Sequence, residues 1–131
     1  MRARAAAARV ARFATVTADG RAHVVPCCFA LDGDRLYSAV DDVKPKSSRP
    51  LQRITNLTAH PRVSVLVDHY AEDWGTLWWV RMDGEAHVAA PGTVAHSTAV
   101  DLLAGKYRQY RRRPPPGPAI VVDIERWRAW P

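Results

Sequence analysis

The segment Lys44-Pro45-Lys46-Ser47-Ser48-Arg49 gathers two ammonium groups, two hydroxyls and a guanidinium into one short stretch. Its serines can cap a helix, and Pro50 suits the first helical turn because the donor it lacks is unused there. Free N–H groups at a helix start, together with the helix dipole, favour an anion, so this stretch has the chemistry of a phosphate cradle. Arg53, one turn after Arg49, extends the positive surface along the same helix. The same residues would also serve as an ordinary capped and solvated helix start; their position just after a strand favours the anion site.

A second group is Trp74-Gly75-Thr76-Leu77-Trp78-Trp79-Val80-Arg81. Alternation along a strand sends Trp78 and Trp79 to opposite faces and puts Arg81 on the side of Trp79. One indole can join a core while the other covers a helix, a partner subunit or a planar ligand. Pro26, Cys27 and Cys28 form a third group. Proline lacks the ladder donor, so its strand lies at an edge or bulges, and the neighbouring backbone groups become available to a ligand. The adjacent cysteine side chains diverge, so a bond between them would strain the backbone; reduced thiols and a cytoplasmic location are expected. His23 and Cys27 share a strand face but lie about 13 Å apart, too far to bind one metal ion, and no metal site is expected. Nucleophile-elbow, Walker, dinucleotide-binding and metalloprotease motifs are all missing from the sequence.

The 131 residues carry 19 Lys plus Arg and 13 Asp plus Glu, a formal charge of +6. Fourteen of the nineteen basic residues fall in three acid-free blocks, residues 1–18, 43–67 and 105–113. Such blocks favour an anionic partner: nucleic acid, a phosphorylated small molecule or a polyanionic tail. The length suits one domain with a real hydrophobic core, and 47% hydrophobic residues exclude a disordered chain. No run of 18 apolar residues is present, so a membrane partner is not expected.

The elements that must position these groups follow from local patterns. Alanine and arginine over residues 2–12 predict a helix, followed by a strand at Phe13 to Thr17 and a turn at Asp19-Gly20. A second strand is expected from His23 to Leu31, apolar enough to be covered on both faces, and a third from Arg35 to Val40 after Asp32-Gly33-Asp34. Leu51, Ile54 and Leu57 predict a helix that His60-Pro61 ends. Strands are then expected at Arg62 to Asp68, Leu77 to Met82 and Glu85 to Val88, the last two joined by a turn at Asp83-Gly84. A helix over residues 93–110 and a strand at Ala119 to Ile124 complete the reading. The fold class is mainly β: six or seven antiparallel strands in a small barrel, with two or three helices packed against it.

In their order these features resemble a known family. They run from Arg9-Val-Ala-Arg-Phe-Ala-Thr-Val-Thr-Ala-Asp-Gly20 through His23-Val-Val-Pro-Cys-Cys-Phe29, Arg35-Leu-Tyr-Ser-Ala-Val40 and Lys44-Pro-Lys-Ser-Ser-Arg49 to His60-Pro-Arg-Val-Ser-Val-Leu-Val-Asp68 and Trp78-Trp-Val-Arg-Met-Asp-Gly84. The series is similar to the split β-barrel oxidoreductases related to pyridoxamine 5′-phosphate oxidase, in particular their deazaflavin (coenzyme F-420) branch from actinobacteria. The resemblance implies a single split-barrel domain over residues 1–131 and a homodimer with cofactor at the subunit interface. It implies that backbone at Pro26, Cys27 and Cys28 contacts the ring system. Lys44, Lys46, Ser47, Ser48, Arg49 and Arg53 would hold the phosphate side, and Trp78, Trp79 or Arg81 would come from the other subunit. The reaction implied is hydride transfer from the reduced deazaflavin to a conjugated small molecule. The cofactor carries the chemistry, so no catalytic side chain is assigned.

FMN is the alternative cofactor, because it too presents a tricyclic ring and a phosphate. A non-catalytic cofactor or heme carrier is a reading of another class. A single-stranded nucleic-acid barrel is set aside, since the apolar second strand leaves little polar, aromatic-studded sheet surface. The substrate pocket is expected between the loop of residues 69–75 and the C-terminal Trp127 to Pro131.

Overall fold

The computed structural model describes residues 1–40 and 52–131. The short helix α1 (Arg2–Ala7) leads into β1 (Ala11–Val16), β2 (Ala22–Cys27), β3 (Ala30–Asp32) and β4 (Arg35–Ala39). Helix α2 (Gln52–Ala59), β5 (Arg62–His69) and β6 (Trp78–Ala89) follow. Then come α3 (Val94–Lys106), α4 (Arg108–Arg112) and β7 (Ala119–Trp130). All strand pairs are antiparallel, in one sheet of order β2-β1-β5-β6-β7-β4-β3. This is the split-barrel α+β fold expected from the sequence.

The order of the sheet dictates its shape. β2 and β3 are its two edges, yet only Cys28 and Phe29 link them. Six strand spacings in a flat sheet would separate the edges by about 29 Å. Three Cα steps span at most about 11 Å. The sheet therefore has to curl until its edges nearly meet. The run expected as one strand from His23 to Leu31 breaks at this seam, and β2 and β3 do not pair, because the backbone passes there from one edge to the other.

Inside the curl, alternate residues of each strand form the core: Phe13 from β1, Val63, Val65 and Val67 from β5, Val80 and Met82 from β6, Ile120 and Val122 from β7. Leu57 of α2 and Ala5 of α1 join them, so the two helices cover the barrel interior. α2 is also latched to β1 through polar groups: Asn56 Nδ2 donates to Thr15 Oγ1 at 2.9 Å, and Gln52 Nε2 to Asn56 Oδ1 at 2.7 Å. His60-Pro61 ends α2 as expected. A separate core lies under α3, where Ala99, Leu103, Tyr107 and Tyr110 pack on Tyr37, Ala119 and Val121.

Four other expectations are corrected. The N-terminal helix stops at Ala7, because Ala11, Phe13 and Thr15 alternate into the barrel and outcompete the helix propensity of the Ala/Arg run. Asp83-Gly84 lies within one continuous β6, opposite a bulge at Glu125 of β7, and is not a turn. A Cβ on Gly84 would overlap the Asp123 carbonyl oxygen, so that glycine serves close approach of two backbones. The long helix expected over residues 93–110 is split at Tyr107 into α3 and α4. β7 continues to Trp130 because it pairs with β6 beyond the barrel, as far as Trp79 opposite Trp130.

Tyr107 breaks the helix because it closes the seam. Phe29 N–H donates to Tyr107 Oη at 3.1 Å, and that hydroxyl lies 2.9 Å from the Arg9 carbonyl and 3.1 Å from the Phe29 carbonyl. One hydroxyl proton cannot serve both oxygens. The nearer Arg9 carbonyl takes it, and Lys106 Nζ serves the Phe29 carbonyl at 2.9 Å. Ser38 Oγ caps the Cys28 carbonyl at 2.9 Å. Removing the hydroxyl with Tyr107→Phe strands a buried N–H and should cost about 1–3 kcal/mol of stability, measured by urea denaturation. A loss below about 0.5 kcal/mol would show that the seam is held by packing alone.

Candidate functional site

β2 ends in Pro26 and Cys27, Cys28 follows in the link to β3, and Pro26 is exposed on the edge strand as its missing donor requires. Cys27 turns inward. Burial pushes its thiol up to about 11, opposed in part by the Arg53 guanidinium, which the fold brings near it from the first turn of α2. Arg53 is half-buried, and its Nε is buried without a hydrogen-bond partner among the described residues. Such a group normally has a partner, and an anion or a ligand oxygen would supply one. The structure thus joins Cys27 and Arg53, which lie far apart in sequence. Lys44, Lys46, Ser47, Ser48 and Arg49 lie outside the described residues.

The aromatic strand divides as its alternation requires. Trp78 packs against the barrel core with the Arg4 guanidinium 5.6 Å from its ring centre. Trp79 and Arg81 face the other way, onto the outside of the sheet. There they share an open groove of about 510 Å³ with Arg12, Val24, Leu66 and Tyr70. Val24 is 63% exposed, so among the described residues the strand expected to be covered on both faces is covered on one. Trp79 and Arg81 therefore lie on the opposite face of the sheet from Cys27 and its neighbour Arg53. Tyr70 brings the loop after β5 into the groove, whereas Trp127 turns away and donates its indole N–H to Asp34 at 2.9 Å.

Three residues escaped the sequence reading. Arg12 is a charged residue flanked by buried Ala11 and Phe13, an alternation visible only once the helix is ended before it. Tyr107 reads as one more apolar residue of a helix stripe. Lys106 lies against the Phe29 ring, 3.7 Å from its centre, and burial together with nearby Arg9 brings its amine down to about 8.

The sequence pattern of the pyridoxamine 5′-phosphate oxidase family matches residues 1–131. Among solved structures, a FAD-binding protein from Mesorhizobium loti is 26% identical, with a TM-score of 0.70 over 95% of this chain and 86% of that one. A heme-binding protein from Mycobacterium smegmatis is 19% identical, with a TM-score of 0.74 over 96% of this chain and 50% of that one. HutZ, the heme storage protein from Vibrio cholerae, is 13% identical, with a TM-score of 0.69 over 93% of this chain and 76% of that one. The two heme proteins share the fold of this chain. No curated protein matches the sequence significantly.

The Lys106 shift has a definite sign. Below pH 8 the amine is charged in both states, and the folded protein bears the cost of burying it. Between about 8 and its ordinary 10.5, the folded protein has lost a proton that the unfolded one keeps, so stability rises with pH. Cys27 acts in the opposite sense from 9 to about 11, where only the unfolded thiol ionises. Stability measured from pH 8 to 9 should therefore climb in the wild type relative to Lys106→Met; parallel curves would show that Lys106 titrates normally.

Proposed function

The chain belongs to the pyridoxamine 5′-phosphate oxidase family, and from that membership we propose that it is an oxidoreductase using the reduced deazaflavin coenzyme F-420, with a conjugated small molecule as acceptor. When bound, the deazaflavin supplies a hydride. The observation that carries the reading is Arg53, half-buried beside Cys27 with an orphaned Nε, at the end of the basic run that begins at Lys44. An orphaned Nε–H there fits a phosphate oxygen, and Lys44, Lys46, Ser47, Ser48 and Arg49 would complete the cradle. The end of the edge strand at Pro26 and Cys27, with Cys28 just beyond it, offers backbone contacts to a ring system. The protein works as a homodimer: Trp78, Trp79 or Arg81 reaches the site from the second subunit, consistent with Trp79 and Arg81 lying on the outer face of their own sheet. Apolar Val24, Leu66 and Trp79 then keep water from the reacting plane.

Two points favour the deazaflavin over FMN. The ordered motifs resemble that branch, and the outlying arginines, including Arg111, Arg112 and Arg113, suit a longer acidic tail. The FAD-binding protein from Mesorhizobium loti supports a flavin-type ring in this fold, and the heme proteins keep a carrier role as the second reading.

Titration of apo protein with F-420, FMN and hemin, followed by tryptophan quenching, separates these readings. F-420 should bind tightest, and tighter FMN would overturn the choice of cofactor. Arg53→Ala should weaken F-420 about tenfold, or about 1.4 kcal/mol, for loss of one charge-assisted contact, and Arg53→Lys should recover part of that. Binding of reduced F-420 with no oxidation by quinones, nitro compounds or tetrapyrroles would leave a carrier.

A further inference from the structure

The groove on the outer sheet face is built from regular pairing. Arg12 lies opposite Leu66, and Leu66 opposite Arg81, so two guanidiniums flank one apolar residue within a cross-strand row that runs on to Pro26 and Arg128. Ala14, opposite both Val24 and Ser64, adds a floor of short side chains. The resulting volume of about 510 Å³ falls within the range of roughly 300–1,000 Å³ found for small-molecule sites. Trp79 forms the aromatic wall beside Asp68, its cross-strand partner.

The charges in this groove are not equivalent. Arg81 is engaged: its Nε lies 3.1 and 3.2 Å from the two Asp83 carboxylate oxygens, and Asp83 also accepts from Ser64 Oγ at 2.7 Å. Arg12 and Asp68 are not. Among the described residues neither has a hydrogen-bond or ion-pair partner, and they do not pair with each other although both line the groove. An apolar, aromatic-walled groove with a free cation and a free anion is complementary to a flat molecule that carries an acceptor anion at one end and a donor at the other.

We propose that this groove is the substrate site, and that it selects planar conjugated carboxylates whose carboxylate pairs with Arg12, whose plane lies on Trp79 and whose far end donates a hydrogen bond to Asp68. As a statement about the substrate it rests on the oxidoreductase reading; as a statement about binding it stands on the groove. Arg12 is a specificity residue in this scheme, since it discriminates among acceptors by charge and takes no part in the transfer. An arginine is suited to that task, because its planar fork matches a carboxylate in two parallel hydrogen bonds.

The probe is 6-amino-2-naphthoate, with 6-amino-2-naphthamide and 2-naphthoate as its neutral and donor-free counterparts, and binding to the cofactor-free full-length protein is followed by fluorescence anisotropy. The acid should bind at least about tenfold tighter than the amide. Arg12→Met should bring the two to parity while the thermal transition stays in place, and Arg12→Lys should keep part of the preference. Asp68→Asn should reduce the advantage of 6-amino-2-naphthoate over 2-naphthoate severalfold and leave the preference for acid over amide. Equal binding of acid and amide, or a preference that survives Arg12→Met, overturns the proposal.

Turnover is read separately with reduced F-420 and 3-(6-amino-2-naphthyl)acrylate. The acrylate double bond takes a hydride at its β-carbon and a solvent proton at its α-carbon, and the deazaflavin is oxidised by two electrons. Acid-selective binding without oxidation would reject the oxidoreductase reading and keep the groove. Oxidation whose KM is unmoved by Arg12→Met would reject the groove and keep the oxidoreductase.

Discussion

Everything in this molecule depends on a link of two residues. Cys28 and Phe29 carry the backbone from one edge of a seven-stranded sheet to the other, and a sheet joined that way cannot lie flat. Among the described residues their backbone groups pair with no strand, and surrounding side chains satisfy three of them. Tyr107 takes the Phe29 N–H, Lys106 its carbonyl and Ser38 the carbonyl of Cys28. Because Tyr107 also bonds the Arg9 carbonyl, the same hydroxyl fixes the segment between α1 and β1. Helices α3 and α4 therefore act as the clasp of the barrel, and the kink between them is the geometry that clasp needs.

Much of the barrel was legible because its strands alternate plainly. Val63, Val65 and Val67 gave β5 and its inward face, Asp19-Gly20 and Asp32-Gly33-Asp34 gave the reversals, and Pro26 left β2 either at an edge, where it is found, or bulged. What stayed hidden was long-range. Nothing near Cys28 in sequence says that its strand ends there, because the cause is a tyrosine 79 positions further on. Gly84 follows an aspartate as a turn glycine would, and only the approach of β7 shows why it must lack a side group. Of the candidate site, the opposed directions of Trp78 and Trp79 follow from a period of two, whereas the meeting of Cys27 with Arg53 needs the whole fold.

Charge counted along the sequence overstates what is available to a ligand. The first basic block holds Arg2, Arg4, Arg9 and Arg12, and the fold engages three of them with its own aromatic rings. Arg2 stands 4.5 Å from the centre of Trp127, Arg4 5.6 Å from that of Trp78, and Arg9 5.7 Å from that of Tyr107. Arg2 also meets Asp34 at 2.9 Å, the same carboxylate that holds the Trp127 indole, so the N-terminal helix, the turn before β4 and the last strand share one knot. Arginine combines charge with a flat face that stacks, which lets a basic sequence serve internal packing. Arg12 stands apart as the member of its block left facing outward.

The two edges of the sheet bear on how copies of this protein meet. A bare edge strand is a template on which another polypeptide adds a strand, and repeated addition leads to fibres. Here one edge is β2, interrupted by a proline that has no N–H to offer and whose ring thickens the rim; the other is β3, only three residues long and ending in Asp32. Neither rim can propagate a ladder.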